Sequence, residues 1–239
     1  MTSVDDLEHQ ILKSWQANAE PWTQVVRRGQ IASRIRVTNA AILQTVLQQF
    51  PGTVLDLGCG EGWLTRALSR RGIQSLGIDA APALIAKAQT LGGGTFVAMT
   101  YAQVSSGQLQ QTFDVIACNF SLLGCTSVDQ LLLALPGLLA PQGKLIIQTI
   151  HPQILPEPTL AGWRMETWEE FEGTFSQPAP WYYRPLEQWR VLLKKGGFDL
   201  PQILEPQDPS THRPASLILI AQRASSQVRP DHPQTVSGV

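Results

Sequence analysis

Hydrophobic positions repeat with a helical period at the start of the chain. Leu7, Ile11, Leu12 and Trp15 share one face of the segment Asp5–Ala19, which predicts an amphipathic helix ended by Pro21. Gly29 interrupts the next segment. Thr38 is placed to cap a second helix with Ile42, Leu43, Val46 and Leu47 on its apolar face, and Pro51-Gly52 stops it. Residues 1–52 therefore read as a helical cap ahead of the main body.

From Thr53 onward, short apolar runs alternate with amphipathic ones. Strands are predicted at Thr53–Leu57, Gln74–Ile78, Thr95–Met99, Phe113–Cys118 and Lys144–Thr149. Phe113–Cys118 is apolar except for Asp114, as suits a strand covered on both faces. Between the strands lie a helix Trp63–Arg71, with Leu64, Ala67 and Leu68 inward, and one opened by Pro82 that buries Leu84, Ile85, Ala88 and Leu91. A third helix starts from a capping box of Ser127 and Gln130 and runs to Leu135, next to Pro136. Strand and helix in this alternation predict an α/β fold with a doubly wound, mostly parallel sheet.

The alternation breaks at Pro152. Residues 152–184 hold several prolines and no clear period, yet seven aromatic residues lie between Trp163 and Tyr183, so this insertion is expected to be packed. Pro185–Lys195 reads as a helix stopped by Gly196. Phe198–Glu205 and Ser216–Arg223 read as an antiparallel pair closing one sheet edge, so the main domain spans residues 53–223. The Ser-, Gln- and Pro-rich tail 224–239 has little to bury and is expected to be disordered.

Composition narrows the function. Across 239 residues, 43% are hydrophobic and only 15% charged, with a formal net charge of -1, which gives no electrostatic reason to expect nucleic acid or an anionic membrane as partner. The acidic first residues lack the pattern of a signal peptide, and the longest apolar run, Leu131–Ala140, is interrupted by Pro136 and too short to span a bilayer. A cytoplasmic location and no membrane span are the expectation. Cys59, Cys118 and Cys125 make no CxxC pair, so neither disulfides nor a metal site is expected.

The chemistry concentrates in Val54–Gly62. A buried strand with Asp56 inside it ends in three glycines, Gly58, Gly60 and Gly62, and a helix follows at once. Glycine there permits positive φ and close approach of a ligand to the backbone, and the free amides at the helix start suit an anionic group. A dinucleotide loop would read GxGxxG and would have an apolar residue in place of Asp56. Asp79 ends the second strand about 20 residues on, where a carboxylate can accept from both ribose hydroxyls of a nucleoside.

Val54–Gly62, Gly77-Ile78-Asp79, Phe113–Ile116 and Gly143-Lys144-Leu145 together resemble the class I S-adenosylmethionine-dependent methyltransferases, and most of all the small-molecule enzymes of the ubiquinone and menaquinone biosynthesis type. The resemblance is strong over Thr53–Thr149 and looser over Tyr182–Phe198 and the last strand. It implies a Rossmann-like methyltransferase fold, S-adenosylmethionine as cofactor with S-adenosylhomocysteine as product, and a small-molecule acceptor.

It also implies roles for residues. Gly58, Cys59, Gly60 and Gly62 would wrap the methionine part, Asp56 would order the loop and hold the ammonium, and Asp79 would hold the ribose. Where the family often carries an acidic residue for the adenine, this chain has Met99-Thr100-Tyr101, so backbone groups and a packed side chain are expected instead. Asn119, Phe120 and Leu122 would line the cleft at the reactive methyl. Arg34 in the cap is a candidate for the cofactor carboxylate, against the alternative of a solvated helix face. His151, just past the fifth strand, is either a general base or a structural hydrogen-bonding residue. Trp181, Tyr183 and Arg184 are candidates for contact with the acceptor beneath an aromatic lid, against the alternative of a satellite core.

Direct displacement at a sulfonium methyl needs alignment more than acid–base help. Amino-methylases of nucleic acids carry an Asn/Asp-Pro-Pro-Tyr/Phe run after the fourth strand, where this chain reads Asn119-Phe120-Ser121-Leu122; no cysteine follows a proline, as cytosine-carbon methylation needs. A protein methyltransferase and a catalytically silent cofactor-binding protein are the competing readings.

Overall fold

The computed structural model describes residues 3–155 and 160–224. Helix α1 (Val4–Ala17) opens on Ser3, whose hydroxyl accepts from the Asp6 amide at 3.1 Å. It ends at Asn18, and α2 (Ala19–Arg27) starts immediately, so Pro21 sits in the first turn of α2 and does not end a helix. The first amides of a helix have no carbonyl to bond, so proline costs little there. Gly29, at φ +67, turns the chain. A π-helical turn, Arg34–Thr38, then runs without a break into α3 (Asn39–Leu47), so Thr38 is itself helical and caps nothing.

Then come β1 (Thr53–Leu57), α4 (Trp63–Ser69), β2 (Gln74–Asp79), α5 (Pro82–Leu91), β3 (Thr95–Ala98), a short α6 (Tyr101–Ser105), β4 (Phe113–Asn119), α7 (Thr126–Ala134) and β5 (Leu139–Thr149). After the insertion follow α8 (Leu186–Lys195), and two strands, Gln202–Leu204 and Leu217–Gln222. Within the insertion, Gly162–Glu166 (β6) and Ala179–Tyr183 (β7) form an antiparallel hairpin, a regular element that the proline-broken sequence did not announce. The last two strands are therefore β8 and β9. The sheet order is β3-β2-β1-β4-β5-β9-β8, parallel through β5 and antiparallel at the β9-β8 edge, as expected.

Side-chain alternation assigns each strand residue to one of two cores. Leu55, Leu57, Ile116, Leu145 and Leu219 pack with α7 and α8 through Leu131, Trp189 and Leu193. Val54, Val115, Ile146 and Ile218 pack with Leu64 and Leu68 of α4 and with Ile42 and Val46 of α3. The expected helical cap thus divides, because α3 belongs to a layer of the sandwich while α1 and α2 lie over α5 and the hairpin.

Cap and hairpin are tied into one roof. Gln177 O accepts from Ser14 Oγ (2.7 Å) and Asn18 Nδ2 (3.1 Å), and the Ser176 amide donates to Asn18 Oδ1 at 2.8 Å. Glu8 reaches the start of α7, accepting from the amides of Cys125 (2.7 Å) and Ser127 (3.3 Å) and from the Ser127 hydroxyl. The capping box of Ser127 and Gln130 is therefore not formed; α7 begins at Thr126 and takes its cap from another helix. No helix among the described residues is long and apolar enough to cross a membrane. The tail from 225 onward lies outside the described residues.

Candidate cofactor and acceptor site

In a doubly wound sheet, the crevice opens where neighbouring strands send their connections to opposite faces. Here that point lies between β1 and β4, at their carboxyl ends. A cavity of about 530 Å³ stands there, floored by the glycine loop and the residues after β4, and roofed by α1, α2 and the hairpin.

The glycine loop folds back on β2, with the amides of Gly58 and Cys59 both donating to Ile78 O at 2.8 and 2.9 Å. Gly58, Gly60 and Gly62 have φ of +74, +58 and +85. Their surroundings differ. A Cβ on Gly58 would stand 2.3 Å from the Ser121 Cβ and one on Gly62 would stand 2.4 Å from the Phe96 ring, whereas one on Gly60 would meet nothing within 4 Å. Gly60 therefore leaves its space to a ligand, and the other two make room for protein.

Two carboxylates hold this loop. Asp56 faces α4 by strand alternation and accepts from the amide (3.1 Å) and hydroxyl (2.8 Å) of Thr65, capping a helix whose own cap position is Gly62. Burial pushes Asp56 up to about 7; the Thr65 bonds oppose this, and the charges of Asp79 and Glu61 add to it. Asp79 accepts from the Gly60 amide (2.9 Å) and the Ala81 amide (2.8 Å), and burial raises it as well. Both carboxylates line the cavity.

Sequence reasoning passed over Glu61, between two of the glycines. It forms a buried ion pair with Arg66, while its Oε1, buried in the cavity wall, has no partner among the described residues. A charged residue amid glycines was the available signal. Asn119 Oδ1 is likewise buried and, among the described residues, unpartnered. Phe120, at φ +52, carries the chain out of β4 and donates its amide to Gln148 O at 2.8 Å. Unsatisfied buried acceptors of this kind cost free energy unless a ligand donates to them. Ser121 completes the floor, its hydroxyl donating to Leu57 O (2.5 Å) and its carbonyl accepting from the Tyr101 hydroxyl (3.0 Å).

Arg34 enters from above. Its guanidinium lies 5.8 Å from the Trp22 ring centre and 5.6 Å from that of Trp63, and its Nε donates to Asn39 Oδ1 at 3.3 Å. Burial pulls it down to about 10, against the charges of Glu61 and Asp56, so it stays protonated at neutral pH. Among the described residues no group accepts from its terminal nitrogens, which leaves a planar cation beside the glycine loop for a carboxylate.

Of the remaining sequence candidates, Cys59, Thr100, Tyr101, Asn119, Phe120 and Trp181 line the cavity, and Gly62, Met99, Leu122, His151, Tyr183 and Arg184 do not. Thr100 forms a capping box with Gln103 at the start of α6, which aims the Thr100–Ala102 backbone along the wall. Met99 and Leu122 belong to the core beneath, one residue out of phase with the wall. His151 Nδ1 accepts from the Gln153 amide (3.2 Å) and Nε2 faces Glu205 (3.1 Å), so both ring nitrogens are engaged away from the cavity. Arg184 is buried, donating to the carbonyls of Gly124 and Cys125 (2.7 Å each) and to Asp129 (3.0 Å), with the Trp189 ring 5.3 Å away. It braces the loop between β4 and α7 from behind. The roof also holds Trp168, one of the insertion aromatics expected in a lid, and Trp15, which the sequence offered only as part of a helix's apolar face.

The wall fits S-adenosylmethionine by its own chemistry. Arg34 suits the carboxylate, Glu61 Oε1 and Asn119 Oδ1 need donors such as an ammonium, Gly60 leaves room, and Asp79 stands at the end of β2 for a ribose. Comparison with known proteins points to the same cofactor. A ubiquinone biosynthesis O-methyltransferase of Pseudomonas paraeruginosa is 34% identical over 105 residues, 41% of this chain and 44% of that protein. The same-named protein of Serratia proteamaculans is 28% identical over 158 residues, 63% of this chain and 64% of its own length. The chain thus spans less than two thirds of either relative. Among solved structures, an S-adenosylmethionine-dependent methyltransferase of Mesorhizobium loti superposes with a TM-score of 0.57 at 23% identity, covering 76% of this chain and 95% of that one. One of Bacteroides fragilis in complex with S-adenosylhomocysteine gives 0.57 at 16% identity, covering 77% of both chains. The family described as "Methyltransferase domain" matches residues 31–203, most of the sheet and part of the cap. The chain belongs to this family, the class I S-adenosylmethionine-dependent methyltransferases.

Proposed function

We propose that the protein transfers the methyl group of S-adenosylmethionine to a small-molecule acceptor held under the aromatic roof. The observation that carries this reading is one continuous cavity of about 530 Å³ joining the glycine loop to a roof of tryptophans, a volume suited to a cofactor end and a compact partner. The name shared by the curated relatives, ubiquinone biosynthesis O-methyltransferase, supports a small acceptor.

When bound, S-adenosylmethionine supplies an electrophilic methyl on a sulfonium, transferred by direct displacement. The chain's residues bind, orient and dry the reactants. Arg34 pairs with the cofactor carboxylate, Asp56 and Glu61 set a negative field for the ammonium, and Asp79 receives the ribose hydroxyls beside the Gly60 amide. Thr100 and Tyr101 flank the adenine. The tied roof of α1, α2 and the β6–β7 hairpin excludes water, and Asn119, Phe120 and Ser121 shape the place where acceptor and methyl meet. His151 has no part in proton transfer in this reading.

Calorimetric titration with S-adenosylhomocysteine, for the wild type and Arg34→Ala, tests the cofactor half. A charge-assisted pair implies about a 10- to 100-fold loss of affinity in the variant. Time-dependent appearance of S-adenosylhomocysteine with fractionated metabolites tests transfer; tight binding without turnover on any fraction favours the silent cofactor-binding protein.

A further inference from the structure

Apart from the groups assigned to the cofactor (Arg34, Asp56, Glu61, Asp79) and from Cys59 and Tyr101, which burial keeps neutral, the titratable residues lining the cavity are Glu8, His9 and Glu166. Glu8 is committed, both of its oxygens accepting at the start of α7. His9 lies on the exposed side of α1, its Nδ1 bonded to Asp5 O at 2.7 Å. Glu166 differs. Its Oε1 accepts from the Trp168 amide at 2.9 Å, and among the described residues nothing donates to its other oxygen.

Glu166 sits at the end of β6, across the hairpin from Ala179, and Ala179 and Trp181 line the same cavity. Trp168 stands beside it at φ +68, a conformation that a bulky side chain adopts only under constraint. Two bonds supply the constraint, the Glu166 side chain on its amide and its own indole N–H on Gln177 O at 3.0 Å. Trp168 in turn packs edge-on against Trp15 with ring centres 5.3 Å apart and tilted against Trp22 at 6.0 Å. The strained turn thus holds, at the cavity wall beside the tryptophan cluster, a carboxylate with an oxygen to which no described residue donates.

We propose that the acceptor is an apolar molecule bearing a protonated amine, whose ammonium is received by Glu166 and the tryptophan faces of the roof. This rests on the small-molecule methyltransferase reading and names the class of acceptor within it. A carboxylate with a free lone pair and aromatic faces together replace the hydration of an ammonium. An acceptor carrying a carboxylate or phosphate would instead meet Glu8 and Glu166, with the exposed His9 to offset them once Arg34 is paired with the cofactor carboxylate. The apolar side chains of Leu12, Phe171 and Trp181 take the rest of the molecule.

Three probes share one aromatic body and differ in charge: phenethylamine, 2-phenylethanol and 3-phenylpropionate. Each is titrated calorimetrically into the full chain, with and without saturating S-adenosylhomocysteine. The amine is expected to bind at least about tenfold more tightly than the alcohol, with the carboxylate weakest. Glu166→Gln keeps an oxygen for the Trp168 amide and is expected to bring amine and alcohol within about twofold of each other while leaving the S-adenosylhomocysteine affinity unchanged. Equal or tighter binding of the alcohol or carboxylate, no binding of any probe, or an amine preference surviving in Glu166→Gln overturns the proposal. Failure of S-adenosylhomocysteine to bind would overturn the cofactor reading instead, and the probe series without it reads the amine site separately.

Discussion

The side chain of Asp56, next to last in β1, caps α4 by accepting from both the amide and the hydroxyl of Thr65 at 3.1 and 2.8 Å. A strand carboxylate doing the work of a helix cap fixes the angle at which the glycine loop leaves the sheet. It also places a charge where water is excluded, and two opposite pH effects follow.

Burial raises Asp56 from 3.8 to about 7 in the fold. A folded value above the unfolded one means that the folded state holds the proton more tightly, so this contribution to stability is complete below about 3.8 and is lost as pH rises through about 7. Without cofactor, the urea midpoint is expected to fall between pH 5 and 8 more steeply in the wild type than in Asp56→Asn; Asp79, also raised, adds a dependence of its own in both proteins. Affinity for S-adenosylhomocysteine runs the other way, because its ammonium favours the ionised carboxylate. Its Kd is expected to tighten as pH rises towards about 7 and then level off, with the dependence largely lost in Asp56→Asn. Parallel pH profiles for the two proteins would count against this role.

The three loop glycines are expected to separate into two classes. Alanine at any of them pays for a left-handed conformation, about 1–2 kcal/mol. Gly60→Ala adds no clash and should fold with only that loss, but its methyl enters the ligand's space and should weaken S-adenosylhomocysteine binding at least about tenfold. Gly58→Ala and Gly62→Ala would drive a methyl to 2.3 Å from Ser121 and 2.4 Å from Phe96, adding about 1–3 kcal/mol of overpacking. Urea unfolding beside calorimetric titration reads both quantities; a Gly60→Ala variant that binds normally would show that the ligand does not approach this backbone.

The sheet and the loop were legible because local signals carry them. Strand runs of fixed length, glycines at every second position and a carboxylate at the end of β2 need no distant partner to be read. The roof was legible only in outline, as a helical cap and an aromatic-rich insertion, without the contacts that join them. Glu8 caps α7 across more than a hundred residues of sequence, Trp168 takes a positive φ that no local motif requires, and the hairpin is hidden by prolines. The same limit explains the side chains that point elsewhere. Tyr183 and Arg184 lie at the right place along the chain, but pairing of β7 with β6 and the bond from the Tyr182 amide to Leu123 O at 2.7 Å turn them into the body of the protein.

Arg184 accordingly predicts a stability effect. Its guanidinium satisfies two carbonyls of the loop that forms the acceptor-side floor and packs against the Tyr182 and Trp189 rings. Arg184→Met keeps much of the apolar stem but strands both carbonyls, which costs about 2–5 kcal/mol. Half-exposed Asp129 can return to water and adds little. The urea midpoint should drop accordingly, while S-adenosylhomocysteine affinity in the folded fraction changes by less than about threefold, since the cofactor wall is built from other elements. A large selective loss of cofactor affinity with unchanged stability would contradict the bracing role.

His151 makes the opposite prediction from the one its place after β5 suggests. The Gln153 amide donates to Nδ1, so Nε2 carries the hydrogen and points it at Glu205, on the far side of the wall from the reacting groups. A base that relays protons to the acceptor would need a ring nitrogen on the cavity, where the neighbouring Ile150 stands instead. His151→Gln is expected to keep kcat within about twofold at saturating cofactor and to cost about 1 kcal/mol or less, because Glu205 is largely solvated and an ion pair there is worth little. Turnover measured across pH with a competent acceptor gives the decision. A hundredfold fall in kcat without a change in unfolding midpoint would return His151 to the reaction and require the β5 terminus to rearrange when the acceptor binds.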